Sequence, residues 1–117
     1  MKASEICQIL NAEILCGKDN LDVDVKTAFG ADMMSDVLAF AKDQTVLITG
    51  LVNPQTVRTA MMLDIKCIVF VRGKRPDDAT LELAEENGLV VLATNKKMYA
   101  VCGKLYANGL STEEESV

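Results

Sequence analysis

The chain contains no histidine and no tryptophan, and aromatic residues make up only 4% of its 117 residues. Without histidine it lacks the commonest general base and the commonest metal ligand of proteins. Ser–His and Cys–His nucleophilic pairs and mixed Cys–His zinc sites are therefore excluded. We accordingly predict a protein that binds and does not catalyse, with no metal and no cofactor.

Cysteine is present but has no metal-binding or redox spacing. No two of the four cysteines form a C-x-x-C motif. Cys7, Cys67 and Cys102 fall on faces that we expect to be buried. Free buried thiols that act as small apolar side chains are the expected interpretation. An iron–sulfur cluster held by all four cysteines has no support in their spacing.

Long apolar runs and excess positive charge are also missing. No run approaches the roughly 18 residues that a membrane-spanning helix needs, and polar residues soon after Met1 argue against a signal peptide. The net charge of −5 argues against general nucleic-acid binding. We therefore expect a cytoplasmic protein with no nucleic-acid or membrane partner. We predict one domain over residues 1–110 and a flexible acidic tail over 111–117.

Short apolar segments alternate with helical patterns along the chain. The predicted strands are residues 13–16, 25–29, 45–49, 67–71 and 89–92. Asn53 followed by Pro54 is a strong helix start. Strands that alternate with helices are typical of βαβ crossovers. The sequence therefore predicts an α/β fold of three α/β/α layers, with a small, mainly parallel sheet of about five strands.

The loops after parallel strands meet at one edge of the sheet, where ligands usually bind in such folds. Here these loops are residues 30–32, 50–53, 72–75 and 94–97. The last two hold five of the 12 basic residues, namely Arg72, Lys74, Arg75, Lys96 and Lys97. Concentrated positive charge and helix N-termini at the same edge suit an anion. The alternative is ordinary solvated loop residues, partly neutralised by Asp77 and Asp78.

We predict ligand-binding residues in these loops and in the adjoining strand and helix ends. They are Asp32, Ser35, Thr49, Gly50, Asn53, Arg72, Gly73, Lys74, Arg75 and Thr94. The structural alternatives are that the glycines only turn the chain from strand to helix, and that Asp32 and Asp36 cap a helix and complement its dipole. Neither G-x-x-x-x-G-K-[ST] nor G-x-G-x-x-G occurs.

The methionine pairs 33–34 and 61–62 have two interpretations. Methionine is a common filler of irregular cores, which is the simpler one. The pairs could instead form an adaptable surface for a partner protein or a second copy of the chain. This leaves open a protein-interaction module as the alternative to a ligand-binding domain.

Several segments together resemble the DRTGG domain family. They are residues 30–38 (GADMMSDVL), 47–50 (LITG), 67–76 (CIVFVRGKRP), 83–92 (LAEENGLVVL) and 102–106 (CGKLY). The resemblance covers about residues 1–110 and implies a fold similar to the N-terminal domain of HPr kinase/phosphorylase and to the uridine-nucleotide-binding N-terminal domain of Mur ligases. It further implies a regulatory or ligand-binding module, here in a stand-alone version. Such versions are often encoded near iron-only hydrogenase genes.

One departure from the family pattern concerns the Asp-Arg pair that names it. The corresponding place, after the strand 45–49, reads Leu51-Val52-Asn53-Pro54. We hypothesise that the basic loop 72–75 replaces the lost arginine. The leading prediction is a non-enzymatic regulatory domain that recognises a small anionic ligand, a nucleotide or phosphorylated metabolite, at the strand ends. The alternative is a homodimeric interaction module that docks on a larger enzyme, such as a hydrogenase.

Overall fold

The computed structural model describes residues 1–42 and 44–110, so the predicted acidic tail 111–117 lies outside the described residues. The strands are β1 (Glu13–Cys16), β2 (Thr27–Gly30), β3 (Thr45–Thr49), β4 (Cys67–Phe70) and β5 (Val90–Ala93). The helices are α1 (Ala3–Leu10), α2 (Met34–Phe40), α3 (Pro54–Met62), α4 (Asp78–Glu86) and α5 (Met98–Ala107). All five predicted strands are present, and two of them have the predicted bounds.

The five strands form one sheet in the order β1-β5-β4-β3-β2. Neighbouring strands from β2 to β5 are parallel, and β1 runs antiparallel to β5. The pairing of β1 is irregular, because its register shifts between Ile14 and Cys16. The predicted five-stranded, mainly parallel sheet is confirmed.

Helices cover both faces of the sheet because successive strand side chains point to opposite sides. Val46, Ile48 and Val69 pack into one core with residues of α1 and α5. Leu47 and Ile68 pack into a second core with residues of α2, α3 and α4. This arrangement confirms the predicted three α/β/α layers and explains why the central strands are apolar throughout.

The connections change sides between β4 and β5. The strands β2, β3 and β4 are each followed by a helix on one face, whereas β5 is followed by α5 on the other face. The chain therefore leaves β4 and β5 toward opposite faces of the sheet. In open α/β sheets, such a switch point is the usual place for a ligand.

The cysteine side chains belong to the cores and not to a reactive centre. Cys67 is buried in β4, and Cys7, Cys16 and Cys102 are half-buried free thiols. Burial raises the pKa of the Cys67 thiol to about 12, and burial, aided by Glu85, raises the pKa of Cys16 to about 11. Burial also raises the pKa of Cys7 and Cys102. Protonated thiols are poor nucleophiles and poor metal ligands.

The described residues lack two features, a metal-binding cluster and a membrane-spanning helix. They contain no group of three or more His, Cys, Asp or Glu side chains placed to hold a metal ion. Among the same residues, no helix has the length and apolar character that a bilayer crossing requires.

Candidate anion-binding edge

Asp32, which follows β2, connects three neighbouring strand ends. Its Oδ1 accepts a hydrogen bond from the backbone N–H of Gly50 at 2.7 Å and one from the Thr49 hydroxyl at 3.1 Å. Its Oδ2 lies 3.7 Å from Nη2 of Arg72. We call Asp32, Thr49, Gly50 and Arg72 the Asp32 cluster. The loops after β2, β3 and β4 thus meet at one carboxylate.

The expectation that Asp32 caps the following helix is wrong. The N-cap of α2 is Met33, and no side chain caps this helix. The carboxylate turns instead toward the end of β3, where it pairs with the N–H that Gly50 would otherwise leave without a partner. The acidic residue in the first turn of α2 is Asp36.

The guanidinium of Arg72 lies directly over Gly50. A Cβ placed on Gly50 would come within 2.8 Å of Cζ and 2.9 Å of Nε of Arg72. Only glycine lets the arginine rest in this position, so the role of Gly50 is a close approach. Arg72 belongs to the basic loop 72–75, and its guanidinium lies beside the Asp32 carboxylate.

The loop after β4 is fixed to the loop after β5 through its backbone. Arg72 has φ 61° and Gly73 has φ 71°, and the left-handed region costs an L side chain about 1–2 kcal/mol. The N–H of Arg72 donates to the carbonyl of Lys96 at 2.8 Å, and that of Gly73 donates to the carbonyl of Thr94 at 3.0 Å. These two bonds hold the strained turn and bring the two basic loops together.

A cavity of about 290 Å³ opens beside this joint, between the end of β5 and the start of β1. We call it the β1 cavity. It is lined by Asn11, Glu13, Gly73, Arg75, Ala93, Thr94, Asn95 and Lys96. Its lining is mostly polar, and it lies at the switch point of the fold.

A two-pronged ion pair joins two residues that line the β1 cavity. The Arg75 Nη1 and Nη2 atoms lie 3.0 Å and 2.8 Å from the two Glu13 carboxylate oxygens. These hydrogen bonds and the opposite charge lower the pKa of Glu13 and raise the pKa of Arg75. On the opposite side, Lys96 Nζ donates to the carbonyl of Leu10 at the end of α1, at 2.8 Å.

Two lysines of the basic loops remain unpaired. Within residues 1–42 and 44–110, the side chains of Lys74 and Lys97 form neither an ion pair nor a hydrogen bond. Lys97 is also the N-cap of α5, which has no side-chain cap and no acidic residue in its first turn. In contrast, Asn53 caps α3 and Asp77 caps α4.

Seven of the ten predicted site residues fall into two groups. Four form the Asp32 cluster, and Gly73, Arg75 and Thr94 line the β1 cavity. Lys74 is exposed on the same loop. Ser35 is exposed in the first turn of α2, and the side-chain oxygen of Asn53 is occupied by the N–H of Gln55. The structure therefore does not bring Ser35 and Asn53 into either group.

Three lining residues, Asn11, Glu13 and Ala93, lie outside the loops in which the site was predicted, and Asn95 lies in one of these loops without having been a candidate. Glu13 reaches the carboxyl edge because β1 is antiparallel to β5. A signal existed, since the segment between the predicted strands 13–16 and 25–29 is too short for the crossover of about 10–12 residues or more that parallel strands need. That spacing excludes β1 as a parallel neighbour of β2.

The fold and this edge define an open α/β/α domain with a basic, glycine-containing carboxyl edge. The chain belongs to the DRTGG domain family, which it matches over residues 5–107. The resemblance inferred from the sequence is thereby confirmed. No curated protein matches the sequence.

A solved structure shares the fold. It is the crystal structure of the CBS and DRTGG domains of the regulatory region of Clostridium perfringens pyrophosphatase, complexed with its activator, diadenosine tetraphosphate. The TM-score is 0.73 at 15% sequence identity, and the match covers 96% of this chain and 51% of that one. This chain therefore spans about half the length of that regulatory region, and at this identity the likeness establishes the fold alone.

Proposed function

We propose that this DRTGG domain is a non-enzymatic regulatory domain that binds a small anionic ligand, a nucleotide or another phosphorylated metabolite, at the carboxyl edge of its sheet. The observation that carries the proposal is a set of basic residues that we call the cationic rim. It consists of Arg72, Lys74, Arg75, Lys96 and Lys97. The backbone bonds from Arg72 and Gly73 hold its two loops side by side.

The distribution of partners within the rim supports an anion as the ligand. Arg72 and Arg75 already face carboxylates, so they are oriented but partly neutralised. Lys74 and Lys97 have no such partner in the described part of the chain, and Lys97 precedes the uncapped N–H groups of α5. A phosphate group would gain both the ammonium charges and these N–H donors.

The size of the β1 cavity limits what can enter it. Pockets that enclose a whole small ligand usually measure about 300–1,000 Å³, and this cavity measures about 290 Å³. It suits a phosphate or sugar-phosphate group and not a complete nucleotide. We propose that the remainder of the ligand lies along the cationic rim toward the Asp32 cluster.

The two carboxylates at this edge are engaged by other groups of the site. Asp32 is occupied by Gly50, Thr49 and Arg72, and Glu13 is occupied by Arg75. In the free protein, each carboxylate thus positions an arginine of the cationic rim. A regulatory role is supported by the pyrophosphatase with the same fold, whose DRTGG domain lies in a regulatory region that binds the activator diadenosine tetraphosphate.

Thermal denaturation with a panel of anions tests the proposal. The panel contains AMP, ADP, ATP, diadenosine tetraphosphate and pyrophosphate at millimolar concentration. A ligand at 100 times its Kd adds about 2.7 kcal/mol to the unfolding free energy, which corresponds to a rise in Tm of about 10 °C. The result against the proposal is a Tm that none of these compounds raises.

A pair of double variants localises the binding. Lys74→Gln with Lys97→Gln removes the two unpaired rim charges, and we expect it to abolish most of the ligand-induced rise in Tm. Lys66→Gln with Lys104→Gln removes the same charge near the opposite ends of β4 and α5, and we expect it to preserve the rise. If both double variants lose the ligand-induced rise in Tm to the same extent, the ligand does not bind at the cationic rim.

We also propose that the domain forms a homodimer through exposed apolar side chains. In this role, the homodimer docks on a larger enzyme. Met34 is buried, but Met33 is 63% exposed and Met62 is 74% exposed. Phe40 and Tyr99 are exposed as well. Core packing therefore accounts for only part of the methionine pairs. Multi-angle light scattering tests this role, and a monomeric mass at all accessible concentrations would contradict it.

A further inference from the structure

The turn between α1 and β1 contacts the cationic rim at two points. We call residues 10–13 the α1–β1 corner. Lys96 Nζ donates a hydrogen bond to the carbonyl of Leu10 at 2.8 Å. Arg75 Nη1 and Nη2 donate to the two carboxylate oxygens of Glu13 at 3.0 Å and 2.8 Å. Because both cations line the β1 cavity, the corner occupies two cations of the ligand site.

Each of these contacts resembles the contact that an anionic ligand would make. Glu13 presents two oxygens to the planar fork of Arg75, as a phosphate group does. The last carbonyls of a helix have no partner inside the helix, and the last turn of α1, which lies within the described part of the chain, contains no basic residue. The ammonium of Lys96 is therefore the cation that the Leu10 carbonyl receives. The corner thus offers the rim one charged and one neutral substitute for the oxygens of a ligand.

We infer that the α1–β1 corner is a built-in competitor of the anionic ligand, an autoinhibitory contact that the ligand displaces. The inference rests on the proposed function and names how its site is regulated. In the free protein the corner holds Arg75 and Lys96, and an anion that enters the β1 cavity takes both cations from it. By linkage, a partner that draws the corner away from the rim raises the affinity for the ligand by the same factor by which the ligand favours the released corner.

The strength of the two contacts favours the ligand over the corner. The side chains of Arg75 and Glu13 are both more than half exposed, and an ion pair between exposed groups contributes little. Lys96 faces an uncharged carbonyl, so a phosphate adds the attraction between opposite charges that this contact lacks. A phosphate group in the cavity therefore replaces both partners at small cost.

The backbone shows which side of the contact changes when the ligand binds. The carbonyl of Lys96 accepts a hydrogen bond from the N–H of Arg72 at 2.8 Å, so the rim loop stays fixed while the Lys96 side chain changes partner. The N–H groups of Asn11 and Ala12 donate to carbonyls in the last turn of α1 at 3.2 Å and 3.0 Å. These two amides therefore report whether the end of α1 has lost its cation.

Amide hydrogen exchange followed by NMR tests the inference with AMP, ADP, ATP, diadenosine tetraphosphate and pyrophosphate, the anions of the thermal-denaturation panel. A ligand that only stabilises the native state slows exchange in the core. We expect each compound that raises the Tm to slow exchange in β3 and yet to speed it at Leu10, Asn11 and Ala12. The expected acceleration is about two- to fivefold, the factor that corresponds to loss of a cation from a helix C-terminus.

Three variants locate the effect, each measured at a saturating concentration of the anion. Lys96→Met lacks the contact with α1, so the anion should bring no further acceleration at residues 10–12. Lys104→Met removes a lysine from the last turn of α5 instead and should keep the full acceleration. Glu13→Gln removes the charged competitor, and its Kd for the anion should be about two- to fivefold lower, the factor that an exposed ion pair contributes.

The outcomes separate this inference from the proposed function. If a compound raises the Tm while exchange at residues 10–12 is unchanged or slower, the autoinhibitory contact is overturned and the proposed function stands. The same holds if Lys96→Met retains the acceleration or if Glu13→Gln binds the anion no more tightly. If no compound of the panel raises the Tm, the proposed function and this inference fail together.

Discussion

The carboxyl edge contains two arginine–carboxylate pairs that differ in construction. In the Asp32 cluster, one carboxylate oxygen accepts from the backbone of Gly50 while the other faces Arg72 at 3.7 Å. At the β1 cavity, both oxygens of Glu13 face Arg75 at 2.8–3.0 Å, and both side chains are more than half exposed. The first pair is bonded to the backbone, whereas the second is a surface contact between two residues that line the β1 cavity.

This difference indicates different roles for the two arginines. Exposed ion pairs are worth little because water competes for both partners. Arg75 can therefore exchange Glu13 for an incoming anion at small cost. Arg72 is held over Gly50 and beside a carboxylate that three loops share, so we expect it to keep its place when a ligand binds.

The largest difference between the two pairs should follow removal of the carboxylates. Asp32→Ala deletes the acceptor of the Gly50 N–H and Thr49 hydroxyl bonds. Hydrogen bonds to charged groups contribute about 1.5–3 kcal/mol, and with half of this side chain exposed we expect a loss of about 1–2 kcal/mol. Glu13→Ala should leave the unfolding free energy unchanged. Urea denaturation measures both, and equal losses would show that the two pairs are equivalent.

Replacing glycine with alanine should affect stability differently at a crowded glycine and at an open one. A Cβ at Gly50 collides with the Arg72 guanidinium, whereas one at Gly103 meets nothing within 4 Å. Gly103→Ala should stabilise α5 by about 0.5–1 kcal/mol, the usual gain from replacing a helical glycine. Gly50→Ala should bring no such gain and should shift the Arg72 Nε–Hε signal in the NMR spectrum. An unchanged Arg72 signal would contradict the packing of Arg72 on Gly50.

We expect a smaller effect on stability from Lys96, which also lines the β1 cavity. Lys96 Nζ bonds to the carbonyl of Leu10 at the end of α1, and a cation at a helix C-terminus contributes about 0.3–1 kcal/mol. Lys96→Met should speed amide hydrogen exchange in α1. Lys97→Met is the matched control because Lys97 has no such contact, and it should leave exchange in α1 unchanged. Identical rates of amide exchange in α1 in both variants would contradict a stabilising contact between Lys96 and α1.

Much of the fold was predictable because the buried strands coincide with short apolar segments of the sequence. The strands 13–16 and 45–49 have the predicted bounds. The prediction placed β2 at 25–29, whereas it spans Thr27–Gly30. Val25 is apolar and buried, but its N–H donates to the carbonyl of Met1 at 2.7 Å. Apolar character alone cannot distinguish a strand residue from one that packs beside the sheet.

The site was predictable as far as it depends on the order of elements. Asp32, Gly50 and Arg72 were candidates because each follows a strand, and the structure brings all three together. The bond from Gly50 to Asp32 was not predictable, since helix capping explains the same spacing equally well. Glu13 was missed because its place depends on a non-local antiparallel pairing of β1, which no local pattern encodes.

The smallest expected effect is on the titration of Glu13. Hydrogen bonds from Arg75 and its charge lower the pKa of this carboxyl from 4.5, so by NMR it should titrate below that value. The ion pair is then complete above pH 4.5 and is lost as the pH falls through the lowered pKa. Because both groups are exposed, the change in stability over this range should be too small to detect.

Arg75→Gln should raise the pKa of Glu13 back toward the ordinary range of a glutamate. Asp77 is the internal control, because a hydrogen bond from the Thr80 N–H to its Oδ1, at 2.9 Å, lowers its pKa without help from Arg75. Its titration should be the same in both proteins. The same variant should also weaken anion binding at the β1 cavity, whereas Glu13→Gln should strengthen it by removing the competing carboxylate. If both variants weaken binding equally, Glu13 contributes to the ligand site and does not compete with the ligand for Arg75.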